Sequence, residues 1–202
     1  MPRHFLIACA ALSLAACGGT SIQPYPDIWP PLTGMSSDCR EVQGLYVDPN
    51  AWAWERRGKA VKGEPGAGGT LDAAWIALGF TGQGAPGAGR REFTLAFDGA
   101  DTLVMEYLIN GKTAAVKRLG RDKWSCGADG LRVVTLELSG AVIDKVPSHG
   151  SAQRSATLYR VGDSLYSRTI DSSDIKLLHA LPRHSLKEQW QRFPASAAFI
   201  PR

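Results

Sequence analysis

The chain predicts a mainly β domain: an antiparallel sheet forming a barrel or a two-layer sandwich, with one or two short helices. Three observations carry this. Apolar residues alternate with polar or small ones along Phe93, Leu95 and Phe97, and again along Leu103, Met105, Tyr107 and Ile109, which is the period of a half-buried strand. Asn110-Gly111 and Gly162-Asp163 are two-residue hairpin signals, because asparagine and glycine tolerate the positive φ such turns require. Leu131 to Leu138, LRVVTLEL, is apolar on both faces and reads as a central strand.

The remaining elements follow in order. Glu41 to Val47 is a strand ended by Pro49, and residues 58–70, GKAVKGEPGAGGT, are a glycine-rich loop. Leu71, Ala74, Trp75 and Leu78 have helical spacing, so a short amphipathic helix is expected over 71–79, followed by a second glycine-rich loop over 79–91. The Asn110-Gly111 turn leads into a strand at 113–119, and Trp124 and Cys126 begin another segment. Strands are expected at 155–161 and 164–170, while 175–181 is open between strand and loop. Ser185-x-x-Glu188 has the form of a capping box, which predicts a short helix ending near Phe193.

The first residues have another logic. Arg3 precedes twelve residues, Phe5 to Ala16, that are apolar or small, a length too short to span a bilayer and typical of a secretory signal. The run ends Leu14-Ala15-Ala16-Cys17, which resembles the bacterial lipobox. That resemblance implies a diacylglyceryl group on Cys17, cleavage before it and acylation of the new terminus. Two or three acyl chains make stable anchors, whereas one alone is marginal. Ordinary secretion with Cys17 as a plain thiol is the competing reading. Gly18, where inner-membrane lipoproteins of Gram-negative bacteria often carry Asp, implies the outer membrane. The expected organisation is a signal peptide over 1–16, a lipidated cysteine and proline-rich tether over 17–37, and one β-rich domain over 38–202. Pro24, Pro26, Pro30 and Pro31 favour an extended spacer, and Tyr25 and Trp29 within it either pack back on the domain or meet a partner.

Four cysteines occur, at 9, 17, 39 and 126. Removal of the signal and lipidation of Cys17 leave Cys39 and Cys126 in an oxidising compartment, where an even pair forms a disulfide, remains as two thiols or bridges two molecules. An intramolecular bond closes a loop of about 88 residues, for which the chain-entropy relation gives roughly 4–5 kcal/mol. Cys39-x4-Gly44-x-Tyr46, Trp124-x-Cys126 and Gly130-Leu131-x-Val133 resemble a group of uncharacterised proteobacterial envelope lipoproteins with a β-rich body. That resemblance supports pairing Cys39 with Cys126 and implies no activity.

Motifs for catalysis or cofactors fail on context. Gly82-x-Gly84-x-x-Gly87 follows a helix signal rather than a strand and contains Pro86, and Gly63 to Thr70 lacks the phosphate-binding lysine of a P-loop. His149, His179 and His184 form no zinc spacing, no Gly-x-Ser-x-Gly occurs, and the pairs Asp98/Asp101 and Asp171/Asp174 suit turns and caps. Neither a cofactor nor a metal is expected.

The formal charge is +4, of which Arg3 lies in the signal. Arg56, Arg57, Lys59 and Lys62 form one basic cluster, a candidate contact for anionic lipid or lipopolysaccharide, and Lys117, Arg118, Arg121 and Lys123 form a second. Nucleic acid is not an expected partner outside the cytoplasm. The function expected is a membrane-anchored envelope lipoprotein that binds or scaffolds another envelope component without catalysis. A lipocalin-like carrier of a small apolar ligand is the first alternative, since Gly44-x-Tyr46 resembles the lipocalin Gly-x-Trp with Tyr in place of Trp. A periplasmic hydrolase is the second.

Overall fold

The computed structural model describes residues 19–32, 34–48, 53–56, 59–62, 73–80, 90–139, 148–177 and 181–196. Twelve strands run through them: β1 (Thr20–Ile22), β2 (Gly44–Val47), β3 (Ala53–Arg56), β4 (Lys59–Lys62), β5 (Arg91–Asp98), β6 (Thr102–Ile109), β7 (Lys112–Leu119), β8 (Trp124–Gly127), β9 (Gly130–Ser139), β10 (Ser148–Val161), β11 (Ser164–Leu177) and β12 (Leu181–Pro194). One short α-helix, α1 (Ala73–Ala77), and one 3-10 turn, Arg40–Val42, are present among the described residues, so the strand expected from Glu41 starts only at Gly44. A six-stranded sheet has the order β1-β12-β11-β10-β9-β8, a four-stranded sheet has the order β2-β5-β6-β7, and β3-β4 is a separate hairpin. Every pairing is antiparallel except that of β1 with β12.

The two larger sheets face each other as a sandwich rather than closing into a barrel. Each keeps its own two edge strands, and they join at one corner, where Tyr46 bridges Ala195 and the Ser196 amide donates to the Leu45 carbonyl at 2.8 Å. Between the sheets lie Tyr46, Phe93, Leu95, Leu103, Met105, Tyr107, Leu131, Val133, Leu158, Leu165 and Phe193, all buried. Phe93 of one sheet meets Phe193 of the other edge-on at 5.0 Å, a favourable aromatic geometry. The helix α1 and the turn that follows it bury Ala74, Trp75 and Leu78, with Trp75 standing T-shaped on Tyr107 at 5.0 Å. Asp48, itself buried, accepts from the Ala74 amide at 3.1 Å and from the Tyr107 hydroxyl at 2.9 Å, so one carboxylate ties the helix start to the sheet.

The local turn chemistry behaves as expected. Asn110 and Gly111 both take positive φ, 53° and 75°, and Ile109 pairs with Lys112, which is the two-residue turn whose twist suits a hairpin. Val161 pairs with Ser164 across Gly162-Asp163 in the same manner. Gly79, at φ 64°, ends α1 so closely against β9 that an added Cβ would lie 2.5 Å from the Thr135 carbonyl. Cys39 and Cys126 form a disulfide with Cα atoms 5.8 Å apart, which joins the turn before β2 to β8.

Three expectations require correction. Residues 59–62 are not loop but strand β4, paired with β3, because Lys59-Ala60-Val61-Lys62 and Ala53-Trp54-Glu55-Arg56 can exchange backbone hydrogen bonds across a two-residue connection. The segment 185–193 is not a helix but part of β12, which pairs with β11 through fourteen residues. The two side chains that form the capping-box signal are used across the sheet: Ser185 Oγ meets Ser173 Oγ at 2.7 Å, and Glu188 takes a fork from Arg168 at 2.9 and 2.8 Å. A helix would also put Trp190 and Phe193 on one face, whereas the strand sends Phe193 into the core and Trp190 to the opposite face. Finally, β9 is central, between β8 and β10, but within Leu131 to Leu138 only Leu131, Val133 and Thr135 are buried, while Arg132, Glu137 and Leu138 are exposed.

Replacing both Cys39 and Cys126 by Ser is expected to lower unfolding free energy by about 4 kcal/mol. A urea titration of the oxidised parent and the double variant checks this, and an unchanged midpoint would contradict it.

Candidate functional site

The face of the six-stranded sheet turned away from the core is set by register. Leu165 and Phe193 point into the sandwich, so Tyr166, Arg168, Trp190 and Arg192 point outward, together with Glu188, Leu186, Ile170 and Ser172. Tyr166 and Trp190 are nevertheless buried, at 1% and 9% exposure. The cover is the chain's own N-terminal segment.

That segment was expected as a spacer, but the structure lays it on the sheet. The Gly19 carbonyl accepts from the Leu186 amide at 3.2 Å, β1 pairs in parallel with residues 186–188, and the Gln23 amide donates to the Glu188 carbonyl at 3.2 Å. Pro24 and Pro26 have no amide hydrogen to extend the ladder, so the chain leaves the strand and crosses the outer face as a strap. Tyr25 stands edge-on to Trp190 at 4.9 Å, Trp29 stands edge-on to Tyr166 at 5.1 Å, and the two strap rings meet each other at 5.5 Å. The Trp29 amide closes a turn onto Pro26 at 3.0 Å. Tyr159 extends the cluster at 6.0 Å from Trp190. The Arg168 and Arg192 guanidinium groups lie 5.9 Å from the ring centres of Trp190 and Tyr166 respectively. Burial raises the Tyr25 and Tyr159 hydroxyl pKa values, and the Glu188 hydrogen bond raises that of Arg168. Rigid rings interleaved with arginine are the composition of recognition surfaces, and here the strap occupies the face.

A second feature lies where β9, β10 and β11 run toward their 137–139, 151–153 and 172–174 ends. An open groove of about 620 Å³ is lined by Glu137, Leu138, Ser139, Ser151, Gln153 and Asp174 among others. Ser151, Asp174 and His184 fall in one row across β10, β11 and β12. The carboxylate sits between the serine and the imidazole, and His184 bonds to Asp174. A hydrolytic triad needs the imidazole in the middle, with the carboxylate behind it. Glu137 is held below the usual carboxylate range by its hydrogen bonds from Lys123 and Gln153. No group of three or more His, Cys, Asp or Glu converges as a metal site among the described residues.

The residues singled out from sequence fall as follows. Cys17 lies outside the described residues, as do Arg57, His179 and the glycine-rich segments 63–70 and 82–87. Arg56, Lys59 and Lys62 belong to the β3-β4 hairpin. The second basic cluster is dispersed into separate local roles. Lys117 donates to the Gly79 and Thr135 carbonyls at 2.9 and 2.8 Å, and burial lowers its pKa. Arg118 pairs with Asp98 at 3.1 Å, Arg121 stacks over Trp124 at 3.8 Å, and Lys123 pairs with Glu137 at 2.5 Å. Asp171 takes a fork from Arg154, so it serves as a structural anion. Sequence reasoning missed the outer-face set of Tyr166, Arg168, Trp190 and Arg192, which the alternation of Leu186, Glu188, Trp190 and Arg192 carries once β12 is read with period two.

Comparisons with protein families, curated proteins and solved structures find none that matches this chain.

Replacing Tyr25 and Trp29 together by Ala removes three ring contacts between strap and sheet, Tyr25 with Trp190 and Tyr166 and Trp29 with Tyr166, each worth about 0.5–1.5 kcal/mol. Amide exchange across residues 20–29 is then expected to quicken by more than about tenfold, with β5 and β6 unchanged. Equal exchange in the parent and the variant would show that the rings do not hold the strap.

Proposed function

We propose that this chain is a lipid-anchored protein of the bacterial cell envelope, held by acyl chains on Cys17 at the periplasmic face of the outer membrane, and that its β sandwich binds or scaffolds another envelope component. The observation that carries this reading is the order of the first nineteen residues. One cation, a short apolar run and Leu14-Ala15-Ala16-Cys17-Gly18-Gly19 lead directly into the first strand. The Cys39–Cys126 disulfide supports it, because such bonds persist outside the reducing cytoplasm.

A binding role at the surface is favoured over an interior carrier. The two sheets keep separate edges, and the space between them is filled by Tyr46, Phe93, Tyr107 and Phe193, whereas a carrier of the lipocalin kind needs a closed barrel around a cavity. A surface role is also favoured over hydrolysis, because the Ser151-Asp174-His184 row has the wrong order for proton transfer from serine to imidazole.

Cells expressing the full chain and fed an alkyne fatty acid are expected to yield a labelled product that sediments with membranes. Cys17→Ser is expected to lose both the label and the sedimentation. Label retained in Cys17→Ser would overturn the anchor.

A further inference from the structure

The same N-terminal segment that carries the proposed lipid is fastened to the domain, and this fixes which part of the domain meets the membrane. Cys17 is two peptide units from Gly19, so their Cα atoms are separated by at most about 7.6 Å. Gly19 is itself hydrogen-bonded to Leu186 of β12. No free spacer therefore separates the acylated residue from the sheet.

The surroundings of that point suit a bilayer. Thr20 and Ile22 lie in register with Leu186 and Glu188, on the outer face. Ile22 is 59% exposed and Leu186 37% exposed, and both are among the few large apolar side chains left in water. Lys176, beside Pro182 on β11, shares the outer face with Leu186, whereas Arg183 and Lys187 leave β12 on the opposite face of the same corner. All three cations are exposed, and none joins an ion pair among the described residues. The acidic groups nearby are already engaged: Asp174 with His184, Glu188 with Arg168, and Asp171, the register partner of Lys187, with Arg154. Apolar side chains that dip below the headgroups, with cations on both faces of the same sheet corner to meet lipid phosphates, are the composition of an interfacial contact.

Resting on the lipoprotein reading above, we propose that the anchored corner of the six-stranded sheet lies in the bilayer interface. Ile22 and Leu186 insert among the headgroups, and Lys176, Arg183 and Lys187 contact anionic lipid. The domain then lies on the membrane instead of standing away from it. The Gly162-Asp163 turn points into the periplasm, since Asp163 is nine residues along β11 from Ser172, the partner of Leu186, or about 30 Å.

The test uses the full chain, purified from membranes and reconstituted in vesicles of phosphatidylethanolamine and phosphatidylglycerol. A benzophenone side chain replaces Ile22, Leu186 or Asp163 in separate variants, and each is irradiated. Mass spectrometry reads the Cys17 acyl group and any adduct. The expected result is an acylated Cys17 in all three, with several-fold more phospholipid adduct at 22 and 186 than at 163. The triple variant Lys176→Glu, Arg183→Glu, Lys187→Glu is expected to reduce the adduct at 186 while leaving Cys17 acylated. Acylated Cys17 with equal adduct at all three sites, or with protein instead of lipid adducts at 22 and 186, would overturn the orientation and leave the anchor standing. An unmodified Cys17 would overturn the anchor and the orientation with it.

Discussion

Strand β12 is held extended by its ladder to β11, and the rest of the molecule depends on that pairing. Fourteen consecutive partners outweigh the local preference of Ser185 and Glu188 for a helix start. Once the segment is a strand, alternate side chains separate. Phe193 enters the sandwich against Phe93, while Trp190 goes to the other side and needs a cover of its own. Its free edge is an unpaired row of backbone groups, which is a site for association with another chain. The molecule fills part of that edge with β1, three residues long, and then turns away at Pro24.

The strap therefore serves two needs at once. It caps the edge, and it supplies the rings that shield Tyr166 and Trp190 from water. Neither contact is large alone, and the strap has no continuous ladder beyond Gln23. Its residence depends on ring packing added to a short parallel pairing. A segment held in this way belongs to the lower end of the stability range of a domain, where opening is local. The same face, with the strap lifted, would present Tyr159, Tyr166 and Trp190 beside two arginines.

Much of the β architecture was legible in the sequence because the decisive signals were local. Asn110-Gly111 specifies its turn through the backbone freedom of two adjacent residues, and Phe93 to Phe97 shows its period within one strand. The failures share a cause, which is partners distant in the chain. Ser185 and Glu188 read as a cap until Ser173 and Arg168, twelve and twenty residues away, are known to face them. The segment around Tyr25 and Trp29 reads as a spacer because its prolines dominate the composition; packing of the two rings back on the domain is one of the two readings the sequence offers, and their partners lie more than 130 residues downstream. The cluster from Lys117 to Lys123 looked like a patch because charge was counted along the chain, while the fold sends Lys117 inward and gives Arg118, Arg121 and Lys123 separate neighbours. The Cys39–Cys126 pair was readable because, once Cys9 and Cys17 are assigned to the expected leader and lipid, two cysteines remain and have one internal pairing.

Placement of the first strand decides whether the proposed anchor and the domain are contiguous. The most direct measurement is solution NMR of residues 19–202, observing cross-strand contacts between residues 20–22 and 186–188. Contacts linking Ser21 with Lys187 and Ile22 with Glu188, in parallel register, are the predicted result. Sharp, random-coil resonances across residues 19–29 with no contact to β12 would contradict the account, because the N-terminal segment would then be a free spacer instead of part of the sheet.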